Sequence, residues 1–239
     1  MRRPILVFVA GLGVSAFLSA QAPTGDQIVQ YCRDPHPEVR IAACSVIIEH
    51  GTGTARELAD AYSSRGTAFS ITGDQDRAIL DFDQAIGRDP TRTLVFGFRA
   101  EAFMARGEFD RAIADYTRAV ELDPMHTDAF YGRATAYREK GDNDAAIADY
   151  TKTIELDPDY LEALGYRGLA YEAKSDFNRA IEDFDAVIRL NPSNAAAVDL
   201  RANAYLQEGD LPHAKSDFER ALRLDPNDAT ATRELSRLP

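Results

Sequence analysis

Tryptophan is absent from the 239 residues, and cysteine (two), methionine (three) and histidine (four) are scarce. His36, His50, His126 and His213 lie far apart in the chain. With two cysteines besides, there is too little material for a zinc-type centre, and no metal or cofactor is expected. Cations are also short: 27 Lys and Arg stand against 39 Asp and Glu, a net charge of −12. A surface that acidic repels phosphate backbones and argues against a nucleic-acid partner. Long apolar runs are missing too. The longest, Ile5 to Leu18, is shorter than the about 20 residues a membrane-spanning helix needs. No phosphate loop is present, because Gly51-Thr52-Gly53-Thr54 has neither the lysine nor a preceding strand. No nucleophile, acid and base fall into a catalytic pattern, and the chain is not expected to be an enzyme. Disorder is excluded by the 45% hydrophobic content, which is enough for a sizeable core.

Residues 1–20 have the layout of a secretory signal: Arg2 and Arg3, an uncharged apolar stretch, then small residues. Cleavage is expected after Ala20, with Ala22 as the second choice and retention as an anchor as the alternative. A periplasmic or secreted chain follows from this, with no stable membrane span once the signal is gone. Without Arg2 and Arg3 the balance is 25 cations to 39 anions.

A period of 34 residues organises what remains. Pro90, Pro124, Pro158, Pro192 and Pro226 follow one another at that step, each behind an Asp or Asn. So do Ala78, Ala112, Ala146, Ala180 and Ala214. An aromatic row runs Phe82, Tyr116, Tyr150, Phe184, Phe218, and a second runs Phe69, Phe103, Tyr137, Tyr171, Tyr205. Each unit reads as two helices. In the third, Asp128 to Lys140 has helical apolar spacing and stops at Gly141, a residue able to take the left-handed conformation. Asp142 can cap the next helix, which runs to about Leu156, where Asp157-Pro158 ends it. The Gly-acid pair recurs at Gly73-Asp74, Gly107-Glu108 and Gly209-Asp210. Ser175-Asp176 replaces it in the fourth unit, which predicts a slightly weaker turn.

One unit reads Tyr62, Arg65-Gly66, Phe69, Ala78, Phe82, Ala85, Pro90, and this pattern resembles the tetratricopeptide repeat (TPR). The likeness covers 59–226, about seven-tenths of the chain, as units 59–92, 93–126, 127–160, 161–194 and 195–226. Departures are the absent Trp, Arg in place of Leu, and Lys215 where other units have Ile79, Ile113, Ile147 and Ile181. The resemblance implies an all-α, right-handed superhelical solenoid of helix pairs, whose concave side holds a peptide or a partner helix. The expected role is a non-catalytic interaction scaffold of a bacterial envelope. The rival readings are a binding protein for a small glycan or peptidoglycan fragment, and a self-assembling structural protein.

Residues present in every unit serve the scaffold, whereas those that break the period are candidates for binding. Arg65, Arg99, Arg133, Arg167 and Arg201 are each followed sixteen residues later by Asp81, Asp115, Asp149, Asp183 and Asp217. Five repeated opposite charges read as structural ion pairs, since a buried guanidinium without a partner is strongly destabilising. The groove positions that the resemblance implies include Asp60, Thr67, Glu101, Met104, Asp128, Tyr131, Arg138, Glu162, Leu169 and Asn203. Four of these are acidic and one is basic, and Ser63, Thr67, Gly97 and Glu101 stand where the family's carboxylate-clamp members have Lys and Asn. Tyr131 and Arg138 break the period near its centre and are expected to serve binding without affecting stability.

Residues 21–58 form an N-terminal cap. Asp26 to His50 reads as a degenerate half-size repeat, with Cys44 in the aromatic slot of a second helix and Tyr31 in the aromatic slot of a first. The segment resembles the cysteine-paired caps of short exported proteins with these repeats, which implies a Cys32–Cys44 disulfide. Two buried thiols or a redox pair are the alternatives. Residues 227–239 are expected to form a short C-terminal capping helix through Leu235 and Leu238. That thin cover predicts a monomer or weak homo-oligomer.

Overall fold

A computed structural model describes residues 24–51 and 53–238. The export signal expected at 1–20 and both candidate cleavage sites lie outside the described residues. The described residues hold thirteen helices and no strand. The chain divides into two compact units, one ending at Pro124 and the other starting at Met125.

The first unit contains α1 (Gly25–Tyr31), α2 (Pro37–His50), α3 (Ala55–Ile71), α4 (Gln75–Arg88), α5 (Thr93–Ala105) and α6 (Phe109–Leu122). Capping boxes Thr24/Gln27 and Thr54/Glu57 start α1 and α3. Cys32 ends α1 and is joined to Cys44 of α2, with Cα atoms 4.8 Å apart. Both cysteines are buried with Ala43 and Ala61, so the cap packs directly onto α3. Tyr31 departs from its expected slot and is exposed. The seven-residue α1 is too short to carry it inward, and Cys32 enters the core instead.

The second unit contains α7 (Thr127–Glu139), α8 (Asn143–Leu156), α9 (Leu161–Ala173), α10 (Phe177–Leu190), α11 (Ala195–Glu208), α12 (Leu211–Leu224) and α13 (Ala229–Leu235). In both units each helix packs against its sequence neighbours, the pattern of stacked helix pairs. The α7/α8 turn shows why the sequence folds this way. Gly141 takes φ 81°, and the N–H of Asp142 closes back on the Tyr137 carbonyl at 2.9 Å. The Asp142 carboxylate then accepts from Ala145 N–H. Ser175 takes the same left-handed place at φ 60°, the only described non-glycine residue to do so. Glu108 does not cap α6. Its longer side chain pairs with Arg106 and Arg111 instead.

The repeated rows form the core. Ala78, Ala112, Ala146, Ala180 and Ala214 are fully buried, and the rings of Phe82, Tyr116, Tyr150, Phe184 and Phe218 are buried beside them. Their small and large sizes alternate as close-packed helix pairs require. At the C-terminal end, Ala231 of α13 is buried, and Leu235 and Leu238 pack on the cluster of Val198, Phe218 and Ala221.

Candidate functional site

Charge pairs make the scaffold on which the site stands. Each repeated arginine grips its aspartate with two parallel hydrogen bonds across a helix pair. Arg167 does so through Nε at 2.9 Å and Nη2 at 2.6 Å to Asp183. Arg65–Asp81, Arg99–Asp115, Arg133–Asp149 and Arg201–Asp217 repeat that geometry. In four of the five the remaining nitrogen, Nη1, reaches back to the preceding second helix. Arg65 meets Ser45, Arg167 meets Thr151, and Arg99 and Arg201 meet Asp83 and Asp185. One guanidinium thus ties three helices, and these residues are not free to hold a ligand. The bonds to aspartate hold Arg65 and Arg167 above the ordinary arginine value.

The first helices carry the candidate positions. In the first unit these are Asp60, Thr67, Glu101 and Met104. Asp60 is paired with Arg92, and the Thr67 hydroxyl donates to the Ser63 carbonyl at 2.9 Å. Glu101 is exposed and Met104 half-buried. Ile71 and Leu94, also on groove positions, are more than half exposed.

In the second unit Asp128, Tyr131, Arg138 and Glu162 come together around a group of tyrosines. The Tyr131 ring centroid lies 5.0 Å from Tyr160, 5.9 Å from Tyr150 and 6.3 Å from Tyr166. The Tyr160 hydroxyl donates to Asp128 at 3.3 Å, and Thr135 and Tyr150 share a hydroxyl contact of 3.2 Å. Burial, with Tyr166 and Tyr150 next, pushes the Tyr131 phenol up to about 12. Burial and Asp128 push Tyr160 upward as well. The raised phenols of Tyr131, Tyr150 and Tyr160 stay neutral at physiological pH. Arg138 stacks over Tyr166 at 4.4 Å and pairs with Glu139 at 2.6 Å. Tyr131 therefore packs as well as lining the face: it sits against Ala134, Tyr150 and Ala163. Its expected separation from stability does not hold, because the ring is part of a core cluster. Leu169 likewise packs against Tyr171 and Phe184. Asn203 is joined to Asp199 through Nδ2 at 3.2 Å.

Sequence reasoning missed Tyr160 and Tyr166. Both break the period: the places of Tyr166 in other units hold Ser64, Phe98, Gly132 and Leu200. Gly165 lies on α9 at one of the groove positions that the family resemblance supplies. A Cβ at Gly165 or Gly97 would meet nothing within 4 Å. At Gly168 and Gly66 it would strike Phe184 at 2.7 Å and Phe82 at 2.8 Å. Two helix glycines thus serve close packing, and two leave open space on the first-helix face. Among the described residues no group of three His, Cys, Asp or Glu is placed to hold a metal ion. No described helix is long and apolar enough to cross a membrane.

Comparison with known proteins agrees with this architecture. Tetratricopeptide-repeat models match residues 59–92 and, in four overlapping segments, 99–238. The crystal structure of MamA is similar at 25% identity, covering 72% of this chain and 94% of that one, with TM-score 0.68. YrrB, described as a TPR protein with an unusual peptide-binding site, matches at 18% identity over 81% of this chain and 98% of its own, TM-score 0.71. The C-terminal part of a TPR repeat-containing protein from Cytophaga hutchinsonii matches at 20% identity, 90% and 83% coverage, and TM-score 0.73. The last two likenesses bear on the fold alone. No curated protein sequence matches significantly. From its 34-residue period, its stacked helix pairs and the matched models together, the chain belongs to the tetratricopeptide-repeat family, whose members are generally non-catalytic interaction modules.

Proposed function

We propose that the chain is an exported, non-catalytic adaptor that holds a segment of a partner protein against the first-helix face of its second unit. The observation that carries this reading is the break in the period on that face. Tyr131, Tyr160 and Tyr166 gather there, and Gly165 beside them leaves open space. Packing requires Gly168 of α9 but not Gly165, where glycine is less stable than alanine by about 0.5–1 kcal/mol. YrrB, of the same fold, has a peptide-binding site. Placement in an envelope is supported by the N-terminal residues and by the Cys32–Cys44 bond, which suits an oxidising compartment.

A photo-crosslinking residue at Glu162, on this face, tests the reading against one at Glu182 on α10. Both positions are exposed. Capture of the same protein partner from Glu162 and not from Glu182 is expected. Equal capture from both sites would reject the face. N-terminal sequencing of protein from the envelope fraction tests export, with a new terminus near Gln21 as the expected result.

A further inference from the structure

The carboxylates of the second unit carry an inference that rests on the reading above and names the chemistry of the partner. Among the described residues of that unit, the buried and half-buried carboxylates face an arginine, a histidine or helix N–H groups, with two exceptions. The exceptions are Glu172 on α9 and Asp199 on α11, at groove positions of successive first helices. The Glu172 carboxylate has no hydrogen bond or ion pair, and burial alone shifts its carboxyl upward. Asp199 Oδ1 is buried without a hydrogen bond, its Oδ2 accepts from Asn203, and the nearby Arg233 is paired with Glu234 instead. Glu162, at the start of α9, is exposed and likewise unpaired. The groove cation of this face, Arg138, pairs through Nη2 with Glu139 and stacks on the Tyr166 ring, and its Nε, which is buried, lacks a hydrogen bond.

We propose that this face takes a lysine- or arginine-bearing segment of a partner protein. A half-buried carboxylate without an ion-pair partner is costly, and an incoming cation offsets that cost where solvent is excluded. The neutral tyrosine rings offer electron-rich faces to the same cation or to flanking apolar groups. The gap over Gly165 lies between Tyr131 and Asp199 in the row of groove positions, so one extended segment meets rings and carboxylates together. An acidic segment would face three carboxylates that have no ion-pair partner. A second copy of this chain is disfavoured for the same reason, at a net charge of −12.

The test is selection of phage-displayed short random peptides on the chain from Gln21 onward. Enriched peptides are then measured on three variants: Gly165→Gln, which fills the gap, the double Glu172→Gln/Asp199→Asn, and Glu182→Gln as the control. Enrichment of Lys and Arg is expected, with affinity falling about tenfold or more in the first two variants and not in the third. Rising salt should weaken binding further. Exchange of Lys for Glu in the peptide reports the same preference if the double variant melts early. Peptides that are lost on Gly165→Gln but are neutral or acidic would overturn the inference and leave the face as the binding site. Failure to obtain any peptide sensitive to Gly165→Gln, or selection of peptides that bind elsewhere, would overturn both.

Discussion

At the scale of single residues, charge is handled in two opposite ways. Each arginine of the row holds its aspartate with two bonds, so its members serve stability. Arg167→Ala would strand the buried Asp183 carboxylate and free Thr151. Breaking such a pair from one side costs about 3 kcal/mol, to be read from urea denaturation. Replacing both partners by apolar residues of similar size should recover much of that loss. Asp199 behaves the other way. Burial first, then Asp228 and Glu234, push its carboxyl up to about 6, while Asn203 and Arg233 pull it down. A carboxyl raised on folding favours the protonated form. Its stabilising contribution is complete below the ordinary value of 3.8 and is lost as pH rises through about 6. Asp199→Asn should therefore raise the melting temperature at pH 7–8. The gain should vanish near pH 4, and a pH series of thermal melts checks both limits.

At the scale of elements, the turns decide how well each helix pair closes. Four turns between paired helices use glycine at positive φ, and α9 and α10 are joined through Ser175 in that conformation. The strain of a side chain there is about 1 kcal/mol, so Ser175→Gly should stabilise by roughly that amount in denaturant titrations. The sequence made this element visible, because Ser175 interrupts an otherwise regular Gly-acid pair. It also made the helix pairs, their ends and the Arg–Asp pairing legible, since each is written five times at one spacing. What it hid had a physical reason. Glu108 stands in a capping position, but only the fold shows that its extra methylene carries the carboxylate to Arg106 and Arg111. Tyr31 matches the aromatic slot in register, yet a seven-residue helix pinned at Cys32 cannot bury it. Tyr160 and Tyr166 were detectable in principle, because they break the period. They lie outside the groove positions that the family resemblance supplies. The cap is held by its bridge and by the packing of α2 on α3. Reduction of Cys32–Cys44 should cost about 3 kcal/mol in the chain-entropy picture. Hydrogen exchange should show that loss in α1 and α2 before α4.

At the scale of the whole molecule, a repeat chain is as secure as its ends, because each pair contacts only its neighbours. The two ends are closed by different means. The N-terminal end has a covalent bridge, whereas the C-terminal end has only α13 and the residues behind it. Asp228 caps α13 by accepting from Thr230 and Ala231 N–H, and the helix then has seven residues. A helix that short is marginal in water by itself, so its cover depends on tertiary contact. The contact consists of Ala231, fully buried, and the partly buried Leu235 and Leu238 against Val198 and Phe218. A fully buried leucine contributes about 1.5–3 kcal/mol, and these two contribute less because solvent still reaches them. Lys215 is exposed on α12, where earlier units have isoleucine, and it does not help to seal this end. Truncation after Asp228 removes the whole cover and leaves the Phe218 and Leu222 side of the last pair to water. Two outcomes should follow. Exchange protection should fall in α11 and α12 but not in α8, because stability in such arrays is lost locally. Sedimentation velocity should show concentration-dependent association of the truncated chain while the full chain stays monomeric at the same loading. Added salt should strengthen that association, since the acidic surface that keeps copies apart is screened while the apolar patch is not.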